Sequence, residues 1–303
     1  MSQTRFSGVL APVITPFNDT LQPDSKRFTK HCNWIVSQGV NLAVFGTNSE
    51  ANSLNLAEKI HLLEELVTSG VNPAKLMPGT GCCALTDSIS LTKKAVELGC
   101  GGVLMLPPFY YKRVTDQGLF DFYSQVIEAV ADDRLHIYLY HIPPISQISL
   151  SLRLIEQLAA KYPNNIAGIK DSSGDWNQTQ AFNDLAIENF AVFCGSESFL
   201  LQNMRTGGAG CISATANVNP SAIVGLYKHW QDSGAKQRQE GLNKIRDIFQ
   251  AFPMIPALKA ATAMYGEDSE WVRVRPPLTQ LTDEQNSDLS RELSSADFKM
   301  PGL

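Results

Sequence analysis

Short apolar runs recur along the chain, and each is followed by a stretch whose apolar residues return at helical spacing. The runs occupy residues 9–14, 42–45, 75–78, 102–106, 137–140, 166–169, 191–194 and 210–212. They lack the apolar–polar alternation of a half-solvated strand. Such runs predict strands buried on both faces, as a parallel sheet requires. Residues 24–37, 55–68, 87–98, 117–131, 150–161, 176–187 and 198–206 carry the amphipathic spacing between them, and 221–232 follows the eighth run. Eight strand–helix units joined by short loops predict an α/β fold, a closed (β/α)8 TIM barrel rather than an open doubly wound sheet. Residues 235–251, 256–265 and 282–294 then read as helices. The expected organisation is a barrel over 1–232 with a C-terminal helical appendage over 233–303, and no Gly/Ser linker separates the two.

Composition agrees and removes several function classes. A chain of 303 residues suits one such barrel with an appendage, and 44% hydrophobic residues can fill a large core. The net charge of −5 comes with no basic run, so neither nucleic acid nor a polybasic membrane anchor is expected. No apolar stretch approaches the roughly 18 residues of a membrane span. Residues 1–10 carry one arginine and no apolar core of signal-peptide length, so a cytoplasmic protein is expected. The six cysteines show neither CxxC spacing nor a Cys/His cluster, and read as small buried hydrophobes in a reducing compartment. The five histidines are scattered without HExxH, so no metal site is expected. No GxGxxG follows the first run and no GxxxxGK[ST] occurs, which removes the main support for a dinucleotide or P-loop site.

In a barrel of this kind chemistry gathers at the C-terminal ends of the strands. The second run ends in Gly46-Thr47-Asn48-Ser49-Glu50, the fourth in Pro107-Pro108-Phe109-Tyr110-Tyr111, and the fifth in Tyr140-His141. The sixth ends in Lys170-Asp171-Ser172-Ser173-Gly174-Asp175, the seventh in Gly195-Ser196-Glu197, and the eighth in Ile212-Ser213-Ala214. Lys170 stands out. A lysine on an apolar strand is costly unless its amine reaches a cavity or a partner. Desolvation favours the neutral amine, which can attack a carbonyl to form a Schiff base. Pairing with Asp171 or Asp175 would explain the same residue without chemistry. Tyr140 on the neighbouring strand shifts the balance, because a phenol beside an imine can shuttle the protons of carbinolamine formation and carbon–carbon cleavage. As an aromatic filling the barrel mouth it would need no such role.

Taken in order, Gly46-Thr47-Asn48-Ser49-Glu50, Tyr140-His141-Ile142-Pro143 and Gly168-Ile169-Lys170-Asp171-Ser172-Ser173-Gly174-Asp175 resemble the signatures of the dihydrodipicolinate synthase / N-acetylneuraminate lyase superfamily. The resemblance runs from Gly8-Val9-Leu10-Ala11-Pro12 to Pro276-Pro277-Leu278 and covers nearly the whole chain. It implies a (β/α)8 class I aldolase, a homotetramer or homodimer, acting on a small-molecule 2-oxo acid through a lysine Schiff base with no metal and no cofactor. Carried over by position, Lys170 is the imine lysine, Tyr140 the proton shuttle and Thr47 its relay. Tyr111 matches a tyrosine that enters the neighbouring subunit's site. Thr47, Asn48 and their backbone amides would hold the pyruvate carboxylate, since a turn of N–H groups suits an anion. Ile212, Ser196, Glu197 and His141 complete the expected substrate-binding set.

Departures from the family pattern bear on the substrate. The lysine-biosynthetic synthases usually carry an arginine five residues after the catalytic tyrosine, for the carboxylate of aspartate semialdehyde. Here that position is Ile145, which supplies no donor. His141 stands where asparagine is usual, and Asn48 replaces the second threonine of the first motif. Asn48, with Lys170-Asp171-Ser172-Ser173-Gly174-Asp175 and Gly195-Ser196, looks more like 4-hydroxy-2-oxoglutarate aldolases. Neuraminate lyases would place acidic residues after the seventh strand, and only Glu197 qualifies. The expected activity is carbon–carbon lysis or formation with pyruvate as product or substrate. The 4-hydroxy-tetrahydrodipicolinate synthase reaction stands as an alternative, and a 2-keto-3-deoxy sugar acid aldolase or dehydratase as a second. Lys112 or Arg113 could replace the missing arginine. A ligand-binding regulator would have lost the lysine or tyrosine, and both are present. Arg273 and Arg275 are expected to hold the appendage or a subunit contact.

Overall fold

Strands form in the apolar runs wherever neighbouring backbone groups can pair. In the computed structural model, which describes residues 5–303, seven strands make one parallel sheet. They are β1 (Gly8–Ala11), β2 (Asn41–Leu42), β3 (Val103–Met105), β4 (Ile137–His141), β5 (Ile166–Asp171), β6 (Ala191–Cys194) and β7 (Gly210–Ile212). Their order is β2-β1-β7-β6-β5-β4-β3. Residues 1–4, where the first expected domain begins and where a signal peptide was not expected, lie outside the described residues.

Helices alternate with the strands, as the periodicity predicts: Ser25–Ser37, Leu56–Thr68, Leu85–Glu97, Asp116–Val130, Leu152–Lys161, Trp176–Asp184, Leu200–Arg205 and Pro220–Lys228. Several open on a side-chain cap. The Asp24, Thr115 and Ser151 side chains accept from the N–H of Arg27, Gly118 and Leu154, which satisfies donors the first turn leaves unpaired.

The third apolar run departs from expectation. Residues 75–78 form no regular strand; a short turn over Pro73–Lys75 leads into isolated bridges from Leu76 to Leu42 and from Gly79 to Leu104. Pro78 has no N–H to donate, so a continuous ladder cannot form there. The segment still touches both edge strands' neighbourhoods. Met77 N–H donates to Leu42 and Gly79 N–H to Val44, while Thr80 donates to Leu104, whose own N–H reaches the Pro78 carbonyl. Glycine is required at 79, because a Cβ there would lie 2.1 Å from the Phe45 carbonyl oxygen.

Strand alternation sorts the core into two clusters. Ile137, Leu139 and Ile169 pack outward with helix residues such as Leu154, Leu158 and Ile223. Tyr138 and Tyr140 join Leu10, Leu104, Phe193 and Ile212 in a smaller cluster on the other face of the sheet. The same alternation that buries the outer apolar residues therefore directs Tyr140 inward.

The C-terminal segment is helical, over Ala235–Gln250, Met254–Tyr265 and Asp283–Ser295. It is tied to the α/β part by charge. Lys259 forms a fully buried ion pair with Glu50 and donates to the Arg273 carbonyl at 2.6 Å. Arg275 grips Glu58 with both terminal nitrogens and reaches the Leu21 and Ser53 carbonyls. Arg273, by contrast, pairs with Glu270 three residues away. Cys32, Cys100, Cys194 and Cys211 are buried as expected of small hydrophobes, whereas Cys83 is exposed. Among the described residues no helix is long and apolar enough to cross a membrane.

Candidate active site

Strand register brings the two most informative residues together. Tyr140 on β4 is the register partner of Lys170 on β5, and Phe193 on β6 follows Lys170. Lys170 is buried, with its Nζ 4.2 Å from the centroid of the Tyr140 ring. That distance is within cation–π range. Glycine at 168 permits the close strand spacing, since a Cβ there would sit 2.2 Å from the Ala191 carbonyl oxygen. Tyr140 is buried as well, and its hydroxyl lies 3.2 Å from Thr47 Oγ1. Burial by itself would raise the phenol's pKa. The Lys170 charge and hydrogen bonds with Thr47, Lys170 and Ser172 outweigh it and hold the phenol below the usual tyrosine value.

Thr47 opens a tight turn over Thr47–Ser49. Gly46 N–H donates to Ser49 Oγ at 3.1 Å, and Thr15 Oγ1 donates to the Ser49 carbonyl at 2.7 Å. The turn ends at Glu50 in the left-handed region, with φ of 55°. A glutamate there is strained by roughly 1–2 kcal/mol. What holds it is the buried carboxylate, which takes Lys259 as ion partner and the Arg275 backbone N–H at 3.1 Å. Burial lowers the Lys259 pKa to about 8, partly offset by Glu50.

A cavity of about 580 Å³ opens over these groups. Its lining includes Lys170, Tyr140, Thr47, Asn48 and Ser196, so five expected site residues share one space. Ile145 also lines it and is otherwise exposed, which leaves that wall without the cation expected of a synthase.

The remaining expected residues fall elsewhere. Ile212 is buried in the inner cluster, beside Leu10 by register, and does not line the cavity. His141 sits on the outward side of β4. Its Nδ1 accepts from Leu150 N–H at 3.1 Å, its ring meets Phe182 edge-on, and burial lowers its pKa against a raising effect of Asp171. Glu197 is buried and does not line the cavity. Its carboxylate accepts from the Ser213 and Thr215 hydroxyls and pairs with Arg246 at 3.3 Å, so its bonding capacity is spent within the protein. Tyr111 lies away from the cavity on an exposed loop, packed edge-on against Tyr110. Lys112 donates to the Phe109 and Ser146 carbonyls, and neither it nor Arg113 lines the cavity.

The lining also holds residues to which the sequence assigns no role, Ser172, Arg246 and Gln250 among them. Ser172, in the turn after β5, is one of the groups that lower the Tyr140 pKa. Arg246 and Gln250 come from the helix Ala235–Gln250. Nothing local in the sequence marks a C-terminal helix as part of a cavity formed at distant strand ends. Only the i, i+4 spacing of Arg246 and Gln250 on one helix face was available as a signal.

A lysine and tyrosine paired across parallel strands, under a hydroxyl-bearing turn, make a site suited to carbonyl chemistry by covalent catalysis. Comparison with known proteins fits that class. The model of the dihydrodipicolinate synthetase family matches residues 5–296, and the chain belongs to that family and is a lyase. It is 31% identical over 300 residues to the 4-hydroxy-tetrahydrodipicolinate synthase of Methanosphaerula palustris, covering 96% of this chain and all of that one. It is 30% identical over 232 residues to the Escherichia coli K12 protein named "Probable 2-dehydro-3-deoxy-D-pentonate aldolase YjhH", with 75% of each chain covered. The crystal structure of YagE, a prophage protein of the dihydrodipicolinic acid synthase family from Escherichia coli K12 in complex with pyruvate, superimposes with a TM-score of 0.88. The identity is 26%, over 97% of this chain and 99% of that one.

Proposed function

We propose that this chain is a class I pyruvate aldolase in which Lys170 forms the Schiff base and Tyr140, with Thr47, moves the protons. The observation that carries the reading is the buried Lys170 amine over the Tyr140 ring, with the phenol in hydrogen-bond reach of Thr47. In the cleavage direction, Lys170 Nζ attacks the C2 carbonyl of a 4-hydroxy-2-oxo acid, and loss of water from the carbinolamine leaves an iminium. Tyr140 takes the proton from the C4 hydroxyl; the C3–C4 bond breaks, its electrons pass to the iminium, and an aldehyde leaves. Protonation of the enamine at C3 and hydrolysis release pyruvate and return Lys170. Thr47, Asn48 and the N–H groups of their turn hold the 2-oxo acid's carboxylate.

Around this centre we read the segment at 76–80 as the eighth stave, whose bonds to Leu42, Val44 and Leu104 close a (β/α)8 barrel. The barrel extends over residues 1–232 and the helical appendage over 233–303. The exposed Tyr110–Tyr111 pair suits a subunit interface in a homodimer or homotetramer, with Tyr111 serving the neighbouring site. A cytoplasmic setting accords with the net charge of −5 and the buried cysteines.

The reading is tested by following pyruvate release from 4-hydroxy-2-oxoglutarate. Wild type should release it, and Lys170→Ala should lose at least a thousandfold in kcat; retained turnover in the variant would remove Lys170 from the mechanism. The synthase reaction is the second reading. The name of the Methanosphaerula palustris relative favours it, and Ile145 opposes it.

A further inference from the structure

Lys170 and Arg246 are the only two cationic side chains that line the cavity among the described residues. If Lys170 is consumed by the imine, as the proposed function has it, Arg246 is the charge left to meet the rest of the substrate. Its guanidinium is only partly engaged. Nε donates to Gln250 Oε1 at 3.0 Å, and Nη1 reaches Glu197 Oε2 and Ser213 Oγ at 3.3 Å each. Nη2 has no hydrogen bond among the described residues, nor has the Gln250 side-chain amide nitrogen. Glu197 does not exhaust the arginine, because its carboxylate is already served by the Ser213 and Thr215 hydroxyls.

The unpartnered groups at this end are therefore donors. A carboxylate brings acceptors and no donors, and a planar guanidinium meets it with two parallel bonds. A polyol would need acceptors for its own hydroxyls. Asp171, the only carboxylate in the lining among the described residues, already accepts from the Ser173 N–H, the Ser173 hydroxyl and the Thr179 hydroxyl.

We infer that Arg246, supported by Gln250, is the specificity residue for the far end of the substrate, and that this end is a carboxylate. The substrate class is then a 2-oxo diacid, whose far carboxylate is met from the helix Ala235–Gln250 and not from the wall formed by Ile145. This rests on Schiff-base formation at Lys170, and the experiment separates the two claims. Purified enzyme is incubated with equal concentrations of 2-oxoglutarate and 2-oxopentanoate, which differ only in a terminal carboxylate or methyl, with pyruvate in a parallel sample. Borohydride reduction and mass spectrometry then quantify each adduct on Lys170. Wild type should favour the 2-oxoglutarate adduct tenfold or more. Arg246→Met should lower that ratio at least tenfold, and Arg246→Lys, which keeps a charged partner for Glu197, should retain part of it. The ratio cancels any general loss of reactivity in a variant. A wild-type ratio near one, or a ratio that Arg246→Met leaves unmoved, would overturn the assignment of Arg246 while pyruvate trapping still supports the imine. If not even pyruvate adds to Lys170, the imine reading fails and takes this one with it.

Discussion

The Lys170 amine nitrogen stands 4.2 Å from the centre of the Tyr140 ring, and the two residues are register partners on adjacent parallel strands. Backbone pairing thus sets the two side chains next to each other on the sheet. The amine lies over the ring, and the hydroxyl meets Thr47 at 3.2 Å.

Ring contact and proton transfer can be separated by Tyr140→Phe. The ring remains, so the fold and the seat of Lys170 should persist, with a thermal melt close to wild type. Loss of the general acid–base group should lower kcat by roughly 10²–10⁴-fold. Steady-state kinetics alongside circular dichroism checks this, and a fall of less than tenfold would leave Tyr140 as packing alone.

The pH profile of cleavage carries the sign of the Tyr140 shift. The phenolate is the form that takes the C4 proton, so kcat should rise with pH. Because the Tyr140 pKa is held below the free phenol's value of about 10, the rise should level off before that pH. Tyr140→Phe should lack this limb. A limb centred at or above pH 10 in wild type would contradict the electrostatic role given to Lys170.

Arg275 anchors the C-terminal segment on Glu58, and both side chains are mostly buried. Arg275→Ala should destabilise the protein by roughly 2–4 kcal/mol, since it strips a charged partner and leaves two carbonyls short of a donor. The Arg275 hydrogen bond is the largest cause of a lowered Glu58 pKa. A depressed carboxylate pKa adds stability above the unfolded value of about 4.3, lost as pH falls through the folded one. Urea denaturation at pH 7 and pH 3 should therefore show a smaller gap between variant and wild type at the lower pH.

Ile145 bears on the acceptor. Without a cation there, aspartate semialdehyde should condense with pyruvate at least tenfold less efficiently, in kcat/KM, than in a synthase carrying arginine, since one charge-assisted hydrogen bond contributes about 1.5–3 kcal/mol. Ile145 is exposed and lines the cavity, so Ile145→Arg should be tolerated and should raise that efficiency. Equal efficiency of wild type and variant would show that another cation already serves the semialdehyde.

The alternation of strands and helices was legible because burial on both faces of a parallel sheet writes continuous apolar runs, and helix faces write their own period. The 75–78 run misled because hydrophobicity cannot register that Pro78 lacks a donor for a continuous ladder. Lys170 and Tyr140 were legible as polar groups at the ends of apolar strands. Glu197 and His141 look alike in sequence yet spend their polar atoms inside the protein, on Ser213, Thr215 and Arg246 in one case and on the Leu150 N–H in the other. Arg246 was hidden because its distance in sequence from Lys170 says nothing about how a C-terminal helix folds back over the strand ends.

The central claim, that Lys170 is the imine-forming residue, is tested most directly by reducing the enzyme with borohydride in the presence of pyruvate and locating the added mass by peptide mapping. The account predicts one reduced pyruvate adduct, on Lys170, with activity lost in proportion to labelling. An adduct on any other lysine, or none while 4-hydroxy-2-oxo acids are still cleaved, would contradict it.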